Sequence, residues 1–403
     1  MLERTQSMPT TAERVRTYGG PAILSYGFRP FFLFGAVWAA LVVAIWLPML
    51  GGLFAVPTAL SPVEWHAHEL VYGYVPAIVA GFLLTAVPNW TGRLPVTGTP
   101  LLALVSVWAA GRLAVLLSAR IGAPVAAAID LLFLACLAGV IAREVIAGRN
   151  LGNLKVLALV GLLFIGNAVF HAEAGLMNGG RGYGTRIGIG GAVLLITLIG
   201  GRIIPSFTRN WLARQSPGRL PTAFSPFDFA SLAIGALAIA CWIAYPNALT
   251  TAGLAALAGL SHALRLTRWA GYRTTREPLV LVLHVGYAFV PIGFLLLTLA
   301  IVAPDLVPAS GALHAWTIGA IGTMTLAVMT CASLGHTGQA LTASSSTQLI
   351  YAAIVVAAAA RLLAAFDVWR EAALTISATA WVLAFGSFAL SFGPQLAKPR
   401  PQG

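Results

Sequence analysis

Between Leu70 and Val87 the chain carries no charged residue; Trp65-His66-Ala67-His68-Glu69 precedes this run and Pro88-Asn89-Trp90-Thr91-Gly92 follows it. At about 1.5 Å of rise per residue, a helix from His66 to Pro88 spans roughly 33 Å, close to the thickness of a bilayer's hydrocarbon core. A helix satisfies its backbone hydrogen bonds internally, which is the condition for crossing lipid. Its ends then hold two histidines and a glutamate at one membrane face and a polar aromatic turn at the other. Ionisable groups are expensive near lipid and mark function there.

The same signature recurs at 30–49, 98–118, 122–142, 155–174, 186–206, 227–245, 249–266, 278–302, 311–334, 347–366 and 372–393. With 66–88 this predicts twelve transmembrane helices and an all-α polytopic membrane protein. Of 403 residues only 9% are charged, against about 25% in soluble domains. No long polar linker separates the runs, so the expected organisation is a single twelve-helix domain over 27–395. A polar segment, 1–26, precedes it and a short tail, 396–403, follows. Residues 1–22 have no apolar core, so no cleaved signal peptide is expected.

The net charge of +12 does not point to nucleic acid. All but Lys155 and Lys398 of the 24 basic residues are arginine, and they lie between apolar runs, as membrane topology requires. With the N-terminus cytoplasmic, that side holds Arg4, Arg14, Arg16, Arg29, Arg93, Arg143, Arg149, Arg209, Arg214, Arg219 and the 265–276 arginines. The outer side holds Arg120, Arg181, Arg186 and Arg370, and Arg112, Arg202 and Arg361 fall inside helices. Both termini are therefore expected in the cytoplasm. Cys136, Cys241 and Cys331 form no CxxC pair, which excludes a disulfide framework or a structural zinc site.

Topology sorts the seven histidines into two layers. His66, His68, His171 and His314 fall at the outer face; His262, His284 and His336 fall toward the cytoplasm. A helix-end histidine is often only solvated or hydrogen-bonded. Neutral imidazole is also the commonest metal ligand and the usual axial ligand of haem iron. Around a helix His66 and His68 sit about 200° apart, so they serve two sites, or one ligates while the other hydrogen-bonds. Glu69, three residues after His66, suits an acceptor for an imidazole N–H, or a carboxylate favoured by the helix dipole. The outer layer is expected to form one site, with His314 within about 10 Å of His66 or His68.

In the inner layer, Gly27-Phe28-Arg29-Pro30 opens the first helix and Gly200-Gly201-Arg202 lies near the end of the sixth. Arg202 is expected inside the membrane unless paired or snorkelling, where it suits a propionate or another anion. His284 and Tyr287 share a helix face by their spacing. His262, His284 and His336 are expected to converge with Arg202 and Tyr287 on a pocket facing the cytoplasm.

Several stretches together resemble the NnrS family of bacterial membrane proteins: GFRPFF (27–32), WHAHE (65–69), GFLLTAVPNWTG (81–92), GGRIIPSFTRN (200–210), LHVGY (283–287), and ALHAW through GHTG (312–338). The resemblance implies a multi-pass protein of the bacterial inner membrane that contains haem and copper and acts in the nitric-oxide response, with NO as a diatomic ligand. It implies haem and copper ligands among His66, His68, His284, His314 and His336, with His171 and His262 as further candidates; Arg29, Arg202 and Tyr287 are expected cofactor contacts from their positions in the inner layer. It does not divide ligands between the metals. Cys331 and Gln339 stand where the family pattern has arginine, so an anion contact at that end of the tenth helix is not implied here. A weaker likeness to the main subunit of haem–copper oxidases rests on helix number and on histidines in helices 2 and 10. The adjacent His-His pair of those oxidases is absent, so their chemistry does not carry over. The leading functional expectation is a haem/copper protein limiting nitrosative damage. A metal or haem transporter and a transmembrane electron-transfer cytochrome are the alternatives, though no internal repeat of the transporter kind is present.

Overall fold

The computed structural model describes residues 18–149, 151–176, 182–215 and 217–400. The expectations placed on Arg4, Arg14, Arg16 and Arg181 lie outside the described residues. The described residues form twelve long helices: α1 (Phe28–Leu50), α2 (Pro62–Thr91), α3 (Thr99–Leu116), α4 (Ala123–Ala147), α5 (Leu154–Leu176), α6 (Tyr183–Leu212), α7 (Pro226–Ala244), α8 (Leu249–Thr267), α9 (Pro278–Val302), α10 (Ala309–Thr337), α11 (Ser345–Ala365) and α12 (Arg370–Ala397). Among the described residues there is no strand. The fold is that of an all-α polytopic membrane protein, and 11 helices are long and apolar enough to cross a bilayer. The remaining helix, α8, buries Ser261, His262 and Arg265 on its inner face, and these polar side chains lower its hydropathy.

Helix starts follow local chemistry. Ser61 and Glu64 form a capping box ahead of α2, with Pro62 in the first turn. Ser225 and Asp228 do the same for α7, and the Glu277 carboxylate caps α9. Helices α2 and α10 end on Gly92 and Gly338, whose φ values of 68° and 77° lie in the left-handed region that glycine adopts freely.

Neighbours in sequence pack together, α3 on α4, α8 on α9 and α11 on α12, while α12 closes back on α1. Lipid gives little hydrophobic drive between helices, so close approach and hydrogen bonds matter more. Trp381 Nε1 donates to Ala39 O at 2.9 Å, tying α12 to α1, and Trp316 Nε1 donates to Val290 O at 3.1 Å, tying α10 to α9. A Cβ at Gly293 would strike the Trp316 ring, so glycine is needed at that crossing. Large apolar side chains such as Leu113, Leu132, Leu237 and Leu390 are exposed outward, as lipid contact requires.

Among the described residues, three helices contain π-helical stretches: Glu69–Tyr74 in α2, Ile196–Gly200 in α6 and Ala315–Gly322 in α10. Two begin directly after a histidine, His68 or His314. A π turn inserts a residue into the helix and re-aims the side chains beside it, and such bulges gather at functional sites.

Candidate functional site

The histidines expected at the outer face separate into two groups on opposite sides of α2. His66 and His314 line one cavity of about 310 Å³ between α1, α2, α6, α10, α11 and α12. His314 Nδ1 donates to Ser310 O at 2.7 Å. That bond fixes the tautomer and leaves Nε2 as a bare lone pair. His66 stacks on Trp46 with ring centroids 4.0 Å apart, and its Nδ1 is buried without a hydrogen-bond partner. The Trp46 Nε1–H in the same wall is also unpartnered. Arg361 reaches this cavity from α11, and among the described residues it has no hydrogen bond or ion pair. The remaining walls are mostly apolar or aromatic, including Tyr74 and Trp381, with Glu64, Thr185, Thr317 and Ser377 as further polar groups. The Tyr74 hydroxyl is hydrogen-bonded to Thr325, joining α2 to α10 beside the cavity.

His68 points the other way, into a sealed polar cluster, and is 0% exposed. Its Nδ1 lies 3.0 Å from Glu69 Oε1, and its Nε2 lies 3.0 Å from Asn167 Oδ1 and 3.2 Å from Asp130 Oδ2. Asn167 Nδ2 donates to Asp130 Oδ2 at 2.8 Å, so the amide orientation is set and its oxygen faces His68. Both imidazole nitrogens therefore face acceptors, and both bonds are satisfied together only when each nitrogen carries hydrogen. The Arg112 guanidinium bridges Glu69, at 2.7 Å, and Asp130. His171 Nε2 meets Asp130 Oδ2 at 2.9 Å, and Trp38 Nε1 donates to Glu69 Oε2 at 2.8 Å. Two carboxylates are thus balanced by Arg112 and a protonated His68, the neutrality that a buried site demands. A Cβ at Gly73 would fall on the Arg112 guanidinium and the Glu69 carboxylate, so this glycine makes room for the pair. His68, Asp130 and His171 offer three ligand atoms within 4.8 Å of one another.

This corrects the expectation of a single site in this layer: His66 and His68 serve two, one on each side of α2. Glu69 does face an imidazole nitrogen, that of His68 rather than His66, and it also serves Arg112 and Trp38, because the Arg112 charge on α3 lies on that side of the helix.

The inner layer does not converge. His262 Nδ1 lies 2.8 Å from the Tyr287 hydroxyl, which also accepts from Arg265 at 3.0 Å. Arg265 pairs with Asp228 at 3.1 Å and donates to Thr197 O, inside the π turn of α6. His284 instead meets Thr208 Oγ1 at 2.8 Å, so its shared face with Tyr287 brings no common partner. His336 lines a separate cavity of about 590 Å³ with Cys331. It makes ring contacts to Tyr26 and Phe28, at centroid distances of 5.5 and 5.4 Å. The Tyr26 hydroxyl donates to Thr85 O at 3.2 Å, and burial pushes this phenol up to about 12, so it stays a donor at physiological pH. Arg202 is exposed and lines neither cavity. Buried guanidinium groups in this layer come instead from Arg265 on α8 and Arg29 on α1. Arg29 is engaged elsewhere, donating to the Gln395, Leu396 and Lys398 carbonyls and so capping the end of α12. Gln339 is exposed beyond α10, and its backbone N–H closes on Leu334 O.

Sequence reading passed over Asp130, Asn167, Asp228 and Arg265 as site residues. An aspartate inside the apolar run 122–142 was the available signal, since a lone carboxylate in such a run demands a buried partner.

These features define a polytopic helical membrane protein with buried polar and histidine sites toward both ends of its bundle. Residues 22–400 match the family described as NnrS protein, and the chain belongs to that family. It is accordingly a membrane protein of a nitric-oxide-associated family. No protein of curated function matches the sequence.

Proposed function

We propose that the protein carries a haem in the cavity between His66 and His314 and acts in nitric-oxide metabolism, limiting nitrosative damage at the bacterial inner membrane. One observation carries this reading: the His314 Nδ1–H···Ser310 bond leaves Nε2 bare in a cavity that also holds His66 and the unpaired Arg361. The residues fit the group, with the His314 imidazole to hold iron and His66 facing it, a mostly apolar slot for the macrocycle and a guanidinium for a propionate. When bound, haem iron supplies one-electron chemistry and affinity for small diatomics such as NO. The chain's own residues orient the ring, through the Trp46 stack on His66 and the Ser310 bond on His314. Its apolar walls exclude water while admitting an uncharged gas from the bilayer.

For copper the supporting group is His68, Asp130 and His171. Two imidazoles and a carboxylate suit copper among other transition metals. A monovalent copper ion replacing the His68 proton leaves the cluster's charge unchanged, whereas a divalent ion adds one positive charge beside Arg112.

A second reading, a cytochrome that only transfers electrons, is supported by two histidines sharing one cavity: were both His66 and His314 to hold the haem, it would supply electron transfer without a free position for a gas. Optical spectra of the purified protein with and without NO, for wild type, His66→Ala and His314→Ala, test these readings. The proposal expects a haem band in wild type that His314→Ala abolishes, and a shift with NO. A wild-type band insensitive to NO selects the electron-transfer reading, and a band unchanged in both variants overturns haem at this cavity.

A further inference from the structure

The larger cavity lies at the opposite end of the bundle from His66 and His314, enclosed by the last turns of α2, α6 and α10 and the start of α9. Along α10 the step from His314 to His336 is about 33 Å of helical rise, the thickness of the hydrocarbon core. Three observations describe what this cavity accepts. Its walls carry an unusual density of flat rings, among them Phe32, Phe82, Trp90, Phe207 and Trp211. Neither ring nitrogen of His336 has a hydrogen-bond partner among the described residues, although the ring is held by Phe28 and Tyr26. The polar groups at the rim include the neutral amides of Asn89 and Asn210, while Arg214 and Glu277 offer one charge of each sign with no ion pair between them.

We propose that this cavity binds the headgroup of a membrane quinone. A quinone ring is flat, neutral and amphiphilic. Its faces suit aromatic walls, its two carbonyl oxygens need donors such as an imidazole or amide N–H, and its isoprenoid tail suits the apolar side chains of the lining, among them Phe82, Phe207 and Val280. A phospholipid headgroup would use the two charges but leave the aromatic box without a purpose. A second haem would use His336 as its ligand. Ligand entry from the bilayer requires no aqueous path, which fits a cavity bordered by lipid-facing helices. The proposal stands independently of haem at the outer cavity.

The test is titration of the purified full-length protein with decylubiquinone, read by quenching of tryptophan emission, since Trp90 and Trp211 line the cavity. Saturable quenching is expected in wild type. His336→Leu should weaken it by about tenfold, the cost of one lost hydrogen bond to a buried acceptor. Ala332→Trp, which fills the cavity from α10, should abolish it. Helical circular dichroism and the gel-filtration profile, recorded on the same samples, should be unchanged in both variants and report that they are folded. Absence of saturable quenching, or wild-type affinity in both variants, overturns the proposal. So does loss of haem absorbance confined to His336→Leu, which makes the cavity a haem site, or recovery of a stoichiometric phospholipid that Ala332→Trp excludes.

Discussion

At the residue scale, the ion network around Asp130 gathers Glu69, Arg112 and Asp130 in one buried cluster. Arg112 is 3% exposed and bridges two carboxylates that belong to different helices. Its replacement by alanine leaves Glu69 and Asp130 opposed across His68, and breaking a buried pair by removing one partner costs about 3–5 kcal/mol. We therefore predict that Arg112→Ala lowers the thermal unfolding midpoint strongly in detergent, while Arg361→Ala, which removes no pair, leaves it nearly unchanged. Equal destabilisation by the two would mean that Arg112 contributes only packing. Gly73→Ala should act like Arg112→Ala, because its methyl group displaces the same guanidinium. Partial rescue by a smaller cation in Gly73→Ala/Arg112→Lys would tie the effect to that contact. The histidines were legible in sequence as chemistry but not as geometry. The helical angle between His66 and His68 indicated two directions, yet nothing in the sequence said which partner lay on which side. Arg202 was read as buried because it follows a glycine pair inside an apolar run; rotation about the helix axis, which depends on packing, turns it outward.

At the scale of the element, α2 and α10 are not uniform helices. Each changes to π geometry immediately after a histidine that faces a site. The extra residue rotates everything on one side of the bulge by about 100° relative to an unbroken α-helix. Deleting one residue within 315–322 should restore α geometry and turn His314 away from its cavity. The expected result is loss of haem absorbance with helical circular dichroism retained; full haem retention would show that the bulge does not set the aim of His314. Windows of apolarity revealed each helix, including α8 with its polar inner face. Bulges left only a faint trace in the sequence, as glycines at 73, 200, 319 and 322, because π geometry arises when tertiary contacts outweigh one ideal backbone bond.

At the scale of the whole molecule, the same helices present a histidine cavity at each end, about one hydrocarbon thickness apart. The charge bias assigns the His336 end to the cytoplasm, and this orientation is a prediction. Reporter fusions at Val56, Asn247 and Pro308 should read outside, and fusions at Ser216 and Thr274 inside. Reversal at any two of these sites would contradict the assignment. The all-helical fold was readable because lipid permits few backbone solutions, and apolar length nearly determines them. The sites were less readable because they join α2 to α5 and α10 to α11, and contacts between helices leave no spacing pattern within either one. The central claim is haem between His66 and His314, and its most direct measurement is an experimental structure of the haem-loaded protein with iron located by anomalous scattering. The account predicts an iron peak bonded to His314 Nε2 and facing His66, with a propionate on Arg361; iron placed beside His336 or His68 alone would contradict it.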